Sequence, residues 1–291
     1  MKFKMFSVVV GTNACIAECP FCVSREKPSS ENMTASQINT KNLITAANLA
    51  NRSGVDTVMI TSKGEPLLFP NQISEVLHHL KPFKFPFIEL QTNCIPIMRN
   101  KDMFSKFLEE WYSLGLNTIT VSVVSHKQEE NKKNYFNNKK EHFDITEMVR
   151  FLHSFGYTVR LTCICCKGIM DSPESVKEFL EFAKSNNIEQ TTLRPLNEEY
   201  ARKSTHDWIE SNKMSIGQKE TIQNFLEEKG TKLLDLERIG SIYDFRGQNV
   251  LFSMPLTRYT RDTNPENIRN LIYCSDGHIR YEWEKDGAIL L

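Results

Sequence analysis

Three cysteines fall within the segment "NACIAECPFCVS" (13–24): Cys15, Cys19 and Cys22, spaced four and three residues apart. Thiolates favour zinc, copper(I) or iron–sulfur clusters. A closed structural zinc site needs a fourth ligand, and the nearest histidine in the sequence is His78. A [4Fe–4S] cluster on three cysteines leaves one iron without a protein ligand, which is the open position a substrate-binding cluster requires. Ligand softness and spacing therefore favour iron–sulfur over zinc. The other cysteines are Cys94, Cys163, Cys165, Cys166 and Cys274. Strand alternation puts Cys163 and Cys165 on one side and Cys166 on the other, so these read as small buried apolar residues.

The chemistry has to be local, because the chain of 291 residues balances 36 Lys and Arg against 36 Asp and Glu. No overall field draws it to nucleic acid or to an anionic membrane. The start, "MKFKMFSVVVGTNAC", holds an apolar run of about five residues, too short for a signal-peptide core, and no later stretch approaches the roughly 20 of a membrane span. A cytoplasmic protein is expected. There, clustered cysteines read as metal ligands or catalytic thiols rather than as a disulfide framework.

The elements that must position the thiols repeat one grammar. Apolar, β-branched runs at 6–11, 56–61, 87–92, 118–123, 157–164 and 189–195 alternate with amphipathic stretches. Thr34 with Gln37, and Asp144 with Glu147, read as capping boxes; Ser172-Pro173 reads as an N-cap followed by proline at the first helical position. Gly54, Gly115 and Gly156 lie where helices should end. Each repeat is about 30 residues long, enough for a right-handed βαβ crossover, and the series makes a partial barrel or a doubly wound sheet. Beyond about residue 230 the pattern alternates around Arg246-Gly247-Gln248 and Asp286-Gly287, as antiparallel hairpins do. The expected organisation is a core over 1–229 and a C-terminal β-hairpin extension over 230–291 packed on it. The thiols then follow the first strand at its carboxyl end, where parallel α/β sheets put ligands.

Cys15-x3-Cys19-x2-Cys22, with Phe21 before the last cysteine, resembles the signature of the radical S-adenosylmethionine (radical SAM) enzymes. Later segments agree in order. "KGEP" (63–66) closes the second strand like that superfamily's Gly-Glu-Pro motif, and "LQTNC" (90–94) closes the third like its Thr-Asn turn. Ser122 and Ser125 end the fourth, "CICCKGIMDSPES" resembles the region after the fifth, and "LRPL" (193–196) the adenine-facing end of the sixth. The resemblance covers about residues 6 to 195 and implies a partial (β/α)6 parallel barrel with a C-terminal antiparallel β extension.

It also implies cofactors, a [4Fe–4S] cluster on Cys15, Cys19 and Cys22 and S-adenosylmethionine chelating its open iron. In such enzymes an electron from the reduced cluster cleaves the sulfur–C5′ bond, and the 5′-deoxyadenosyl radical takes a substrate hydrogen. The protein holds the cofactors, excludes water and aims the radical. Glu65 would meet the methionine ammonium in a charge-assisted bond. Phe21, Lys63, Gly64, Thr92, Asn93, Ser122, Ser125, Leu193 and Arg194 are the other cofactor-binding candidates. A one-electron donor such as flavodoxin or ferredoxin is implied as a partner.

For the substrate, 126–142 carries Lys132, Lys133, Lys139 and Lys140 around Tyr135 and Phe136, and 197–213 adds Arg202, Lys203, His206 and Trp208. Basic residues interleaved with aromatics can bind phosphate and stack a base; they also make a solvated loop. The expectation is a small polar or phosphorylated substrate, nucleotides included. The alternatives are a macromolecular substrate (a tRNA, a peptide or a glycyl-radical partner protein) and, from another class, a non-catalytic iron–sulfur or zinc module. Neutral charge gives no grip on RNA, and "KGEP" argues against the module.

Overall fold

In the computed structural model, residues 2–22, 37–136, 142–196, 203–236, 239–253, 267–283 and 287–291 are described. The apolar runs form β1 (Lys2–Val9), β2 (Thr57–Thr61), β3 (Phe87–Thr92), β4 (Thr118–Val123), β5 (Thr158–Cys165) and β6 (Gln190–Pro195). Their connections carry α1 (Thr40–Arg52), α2 (Pro70–Leu80), α3 (Ile95–Arg99), α4 (Lys101–Ser113), α5 (Gln128–Phe136), α6 (Ile145–His153) and α7 (Pro173–Ser185). After β6 come α8 (Lys203–Asn212), α9 (Ile216–Lys229), β7 (Thr231–Leu236), β8 (Gly240–Phe245), β9 (Gln248–Ser253), β10 (Asn267–Tyr273) and β11 (Ile279–Arg280). No described helix is long and apolar enough to cross a membrane.

Local chemistry sets most boundaries. Asp144 caps α6 by accepting from Glu147 N at 2.9 Å, and Ser172 caps α7 with Pro173 in its first turn. Gly54, Gly115 and Gly156 take the left-handed φ that follows the ends of α1, α4 and α6. Of the expected capping box at Thr34 and Gln37, only Gln37 is described, and it lies ahead of α1. The N-cap of α1 is Asn39, which accepts from Asn42 N at 3.1 Å.

The sheet runs β11-β10-β1-β2-β3-β4-β5-β6-β9-β8-β7 among the described residues and does not close. From β1 to β6 each neighbour is parallel, giving the partial barrel. The hairpin expected at Arg246-Gly247 is present: Phe245 pairs with Gln248, and both turn residues have positive φ, 54° and 88°. That is the signature of a two-residue type I′ turn, whose twist matches its strands. The C-terminal strands join the core sheet edge to edge. β9 lies parallel to β6, and β10 lies parallel to β1 on the far edge. This second pairing explains why β1 begins at Lys2, earlier than its apolar run: Lys2 and Phe3 are ordered by Asn267 and Ile268 across the ladder. Asp286 lies outside the described residues.

Side-chain alternation separates two faces. Val8, Ile60, Leu90, Val121, Leu161 and Leu193 pack with Ala46, Leu77, Trp111, Leu152 and Phe179 of the helices, all of them buried. Burying a large apolar side chain contributes about 1.5–3 kcal/mol, so this layer carries much of the stability. The opposite, inner face is polar, with Thr120 in register with Arg160 and Gln190, and Ser122 with Thr162 and Thr192. Arg160 bridges that face, donating to Glu89 Oε2 at 2.5 Å and to Gln190 Oε1 at 2.7 Å.

Candidate active site

The chain leaves β1 through Gly11, whose φ of 68° and whose close approach to the Phe69 ring require glycine. The cysteine loop then crosses the end of β2. Ser62 Oγ donates to Thr12 O at 3.1 Å, and Glu65 N to Ala14 O at 2.9 Å. Gly64 lies so close to the loop that an added Cβ would stand 2.0 Å from Ala14 O. On its other side the loop hangs on α5, with Glu18 N donating to Tyr135 O at 2.8 Å.

Held between those elements, Cys15 is exposed and Cys19 and Cys22 are half-buried, none of them in a disulfide. Cys15 Sγ accepts from Ala17 N at 3.4 Å and lies 3.8 Å from Asn93 Nδ2. Among the described residues no three His, Cys, Asp or Glu side chains are arranged on one metal ion. A cubane cluster takes each thiolate on a different iron, so its ligands need not converge on a point. A donor set of thiols alone, over a cradle that tolerates no Cβ at Gly64, fits such a cluster.

Glu65 is buried, 2 % exposed. It accepts from Thr92 Oγ1 at 2.5 Å, Asn93 N at 2.9 Å and Leu67 N at 3.0 Å. Burial still pushes its pKa up to about 7, the three donors opposing that shift. Thr92 also accepts from Cys94 N at 2.8 Å, and Asn93 Oδ1 from Ile95 N at 3.0 Å. Thr92 and Asn93 therefore tie the end of β3 to both Glu65 and Cys15.

Phe21 is buried against Tyr135 and Trp208, with ring centroids 6.1 and 5.7 Å away. Lys63 is half-buried on the Cys274 side, where its charge acts on that thiol. Ser122 is half-buried on the inner face. Ser125 lies past β4 with its hydroxyl engaged in a turn, accepting from Lys127 N at 3.1 Å. The Leu193 side chain belongs to the helix-packed core, so its neighbours Thr192 and Arg194 face inward instead. As the alternation requires, Cys163 and Cys165 join that core, while Cys166 packs in the separate cluster that holds Phe21. Burial pushes the Cys163 and Cys166 thiols up.

The described part of the basic segment, residues 126–136 and 142, is no open stacking surface. Its residues 128–136 are the helix α5, and Tyr135 and Phe136 are both buried. Asn131 locks this helix under β4 by accepting from Val124 N at 2.9 Å and donating to Ser125 O at 2.7 Å. Lys132 is half-buried and Lys133 exposed at this end of the barrel. His206 is exposed on α8, 3.7 Å from Asp207. Lys139, Lys140 and Arg202 lie outside the described residues, as does the side chain of Lys203. Ser62 and the backbone of Tyr135, which anchor the loop, carried no signal in the sequence.

The radical SAM superfamily matches the chain over residues 9–185. The chain belongs to that superfamily and is an enzyme of the radical SAM class. The family typically uses a [4Fe–4S] cluster and S-adenosylmethionine. Solved structures agree in fold. A methylornithine synthase is 16 % identical at a TM-score of 0.55, covering 91 % of this chain and 77 % of its own. The native anSMEcpe with bound AdoMet is 10 % identical at 0.61, covering 98 % and 76 %. A radical SAM methyltransferase from Sphaerobacter thermophilus is 14 % identical at 0.53, covering 95 % and 70 %. The search of curated proteins found no match.

Proposed function

We propose that Cys15, Cys19 and Cys22 hold a [4Fe–4S] cluster, that the ends of β2 to β6 bind S-adenosylmethionine, and that the enzyme takes hydrogen from a small polar or phosphorylated substrate, nucleotides included. Bound together, the two cofactors supply reductive cleavage of the sulfonium and a hydrogen-abstracting 5′-deoxyadenosyl radical. One observation carries the reading: Asn93 touches both the first thiol, 3.8 Å from Cys15 Sγ, and the buried carboxylate, 2.9 Å from Glu65. A cation-binding carboxylate and a cluster ligand thus share one hydrogen-bonded turn.

The chain's own residues have separable tasks. Glu65 offers negative charge to the methionine ammonium from a site where burial strengthens the attraction. Gly64 lets the loop approach β2, Thr92 and Asn93 fix the carboxylate, and Phe21 with Trp208 and Tyr135 excludes water beside the thiols. Ser122 and Arg194, on the inner face, would contact S-adenosylmethionine, and Thr162 and Thr192 beside them give that face the polarity that suits a polar substrate. Lys63 and Ser125 would act at the margins of the cofactor site, and Leu193 through its backbone. Lys132, Lys133, Lys139, Lys140, Arg202 and His206 are the proposed substrate contacts, with flavodoxin or ferredoxin as the electron donor.

Anaerobic reconstitution tests this. About four iron and four sulfide per chain are expected, lost when the three cysteines are changed together to alanine. With dithionite, the loaded protein should release 5′-deoxyadenosine and methionine from S-adenosylmethionine, read by chromatography. A full cluster in the triple variant, or tightly bound zinc in the native protein, would overturn the assignment.

A further inference from the structure

Tyr135 lies in the last turn of α5 with its side chain buried, 2 % exposed, and its hydroxyl has no hydrogen-bond partner among the described residues. A buried, unpaired O–H forfeits its hydration, a cost that phenylalanine at the same place would avoid. The hydroxyl therefore asks for an acceptor. Its surroundings narrow what that acceptor is. The ring stands edge-on to Phe21, at 6.1 Å and 85°, between two of the proposed cluster ligands in sequence, and the Tyr135 carbonyl accepts from Glu18 N in the same loop. Cys166 shares the buried cluster that holds Tyr135, and Cys19 packs against that cluster. Cys163 and Cys166 are already engaged, their thiols donating to Val124 O at 3.3 Å and Ile164 O at 3.6 Å. Cys19 and Cys15 belong to the loop that would carry the cluster.

We propose that Tyr135 Oη donates a hydrogen bond to a sulfur of the cluster held by Cys15, Cys19 and Cys22, and so raises its reduction potential. This inference rests on the proposed function. Reduction adds negative charge that is shared by the cluster sulfurs, so a donor aimed at them stabilises the reduced form more than the oxidised form. A phenol ionises only near pH 10, so at neutral pH the hydroxyl is a donor. Tyr135 is thus a positioning and tuning residue rather than a cluster ligand.

Tyr135→Phe removes the hydroxyl and leaves the ring against Phe21. In the metal-free protein the variant should be at least as stable as the native chain, since no hydrogen bond is lost. After reconstitution, iron and sulfide should match the native protein, while a redox titration followed by electron paramagnetic resonance shifts to lower potential. The expected size is about a tenfold fall in the reduced-to-oxidised ratio at a fixed ambient potential, or about 59 mV for a one-electron couple. After exchange into D2O, a deuteron coupled to the reduced native cluster should vanish from the variant. A full cluster with unchanged potential and unchanged deuteron coupling overturns this inference alone. So does a variant that loses stability or iron without any shift in potential, because that marks a packing role. A native chain that takes up no cluster overturns the proposed function and this inference together.

Discussion

The hydroxyl of Thr92 donates to Glu65 Oε1 at 2.5 Å, so the carboxylate that follows β2 is held from the end of β3. Burial pushes that carboxylate from an ordinary value of 4.5 up to about 7. Between those values the folded chain keeps a proton that the unfolded chain has released. This group's stabilising contribution is therefore full below pH 4.5 and is lost as pH rises through about 7. The loss amounts to about 3 kcal/mol. Glu65→Gln removes it, so urea unfolding of the metal-free protein from pH 5 to 8 should show the native chain losing stability relative to the variant. Parallel curves would mean that Glu65 ionises normally.

The same substitution tests the proposed cofactor contact. At a pH above 7, Glu65→Gln removes a charge opposite the methionine ammonium without touching a thiol. The lost charge-assisted bond costs about 1.5–3 kcal/mol, roughly tenfold to more than a hundredfold in S-adenosylmethionine affinity. Iron content should stay at the native value. Calorimetry that finds equal affinity places Glu65 outside the binding site.

Gly64→Ala should damage the cysteine loop selectively. The new Cβ would meet Ala14 O at 2.0 Å, Ala14 C at 2.6 Å and Asn13 C at 2.7 Å, all backbone atoms that no rotamer change can clear. The loop must retreat, breaking the bond from Glu65 N to Ala14 O. Overpacking of this kind costs about 1–3 kcal/mol. Iron uptake should fall well below native while far-ultraviolet circular dichroism is unchanged. Gly217→Ala, where nothing lies within 4 Å, is the control and should load fully.

What the sequence showed and hid follows from how far each signal reaches. Phe87–Thr92 and Thr118–Val123 match their apolar runs residue for residue, because a strand between two parallel neighbours is specified by its own β-branched residues. Lys2 to Met5 extend β1 because β10 pairs with them from the other end of the chain, a contact no local pattern encodes. α5 was hidden for a different reason. Its buried residues include Asn131 and Asn134, and polar residues used internally break the apolar periodicity that marks a helix. The thiols and the Gly-Glu-Pro turn were legible as chemistry; the residues that clamp them, Ser62 and Tyr135, act through hydrogen bonds formed only once the fold brings β2 and α5 to the loop.

The polar inner face yields a stability prediction at Arg160. Its side chain is 30 % exposed and its guanidinium pairs with Glu89, whose side chain is 6 % exposed. Arg160→Ala leaves that carboxylate buried without its cation and should cost about 3–5 kcal/mol. Arg160→Met with Glu89→Leu removes both charges and should recover most of the loss, as measured by urea unfolding of the native chain and both variants. If the single substitution costs no more than the double, Glu89 finds another partner or water.

The last prediction concerns the charge on α5. Its hydrogen bond to Glu18 places the helix against the cysteine loop, so Lys132 and Lys133 stand at the carboxyl end of the barrel where substrate would enter. Because Tyr135 and Phe136 are buried, base stacking drops out and charge is what the segment has left to offer. The whole chain carries no net charge, so any attraction for an anionic substrate has to be local, and salt should screen it over a Debye length of about 10 Å at 0.1 M. Changing Lys132, Lys133, Lys139 and Lys140 to glutamine should raise KM for an anionic substrate and flatten its dependence on salt. Iron content should remain native, since no lysine is a ligand. The measurement is kcat and KM across a salt series for both proteins. Kinetics that ignore both the substitutions and the salt would show that the substrate is uncharged or approaches from another side.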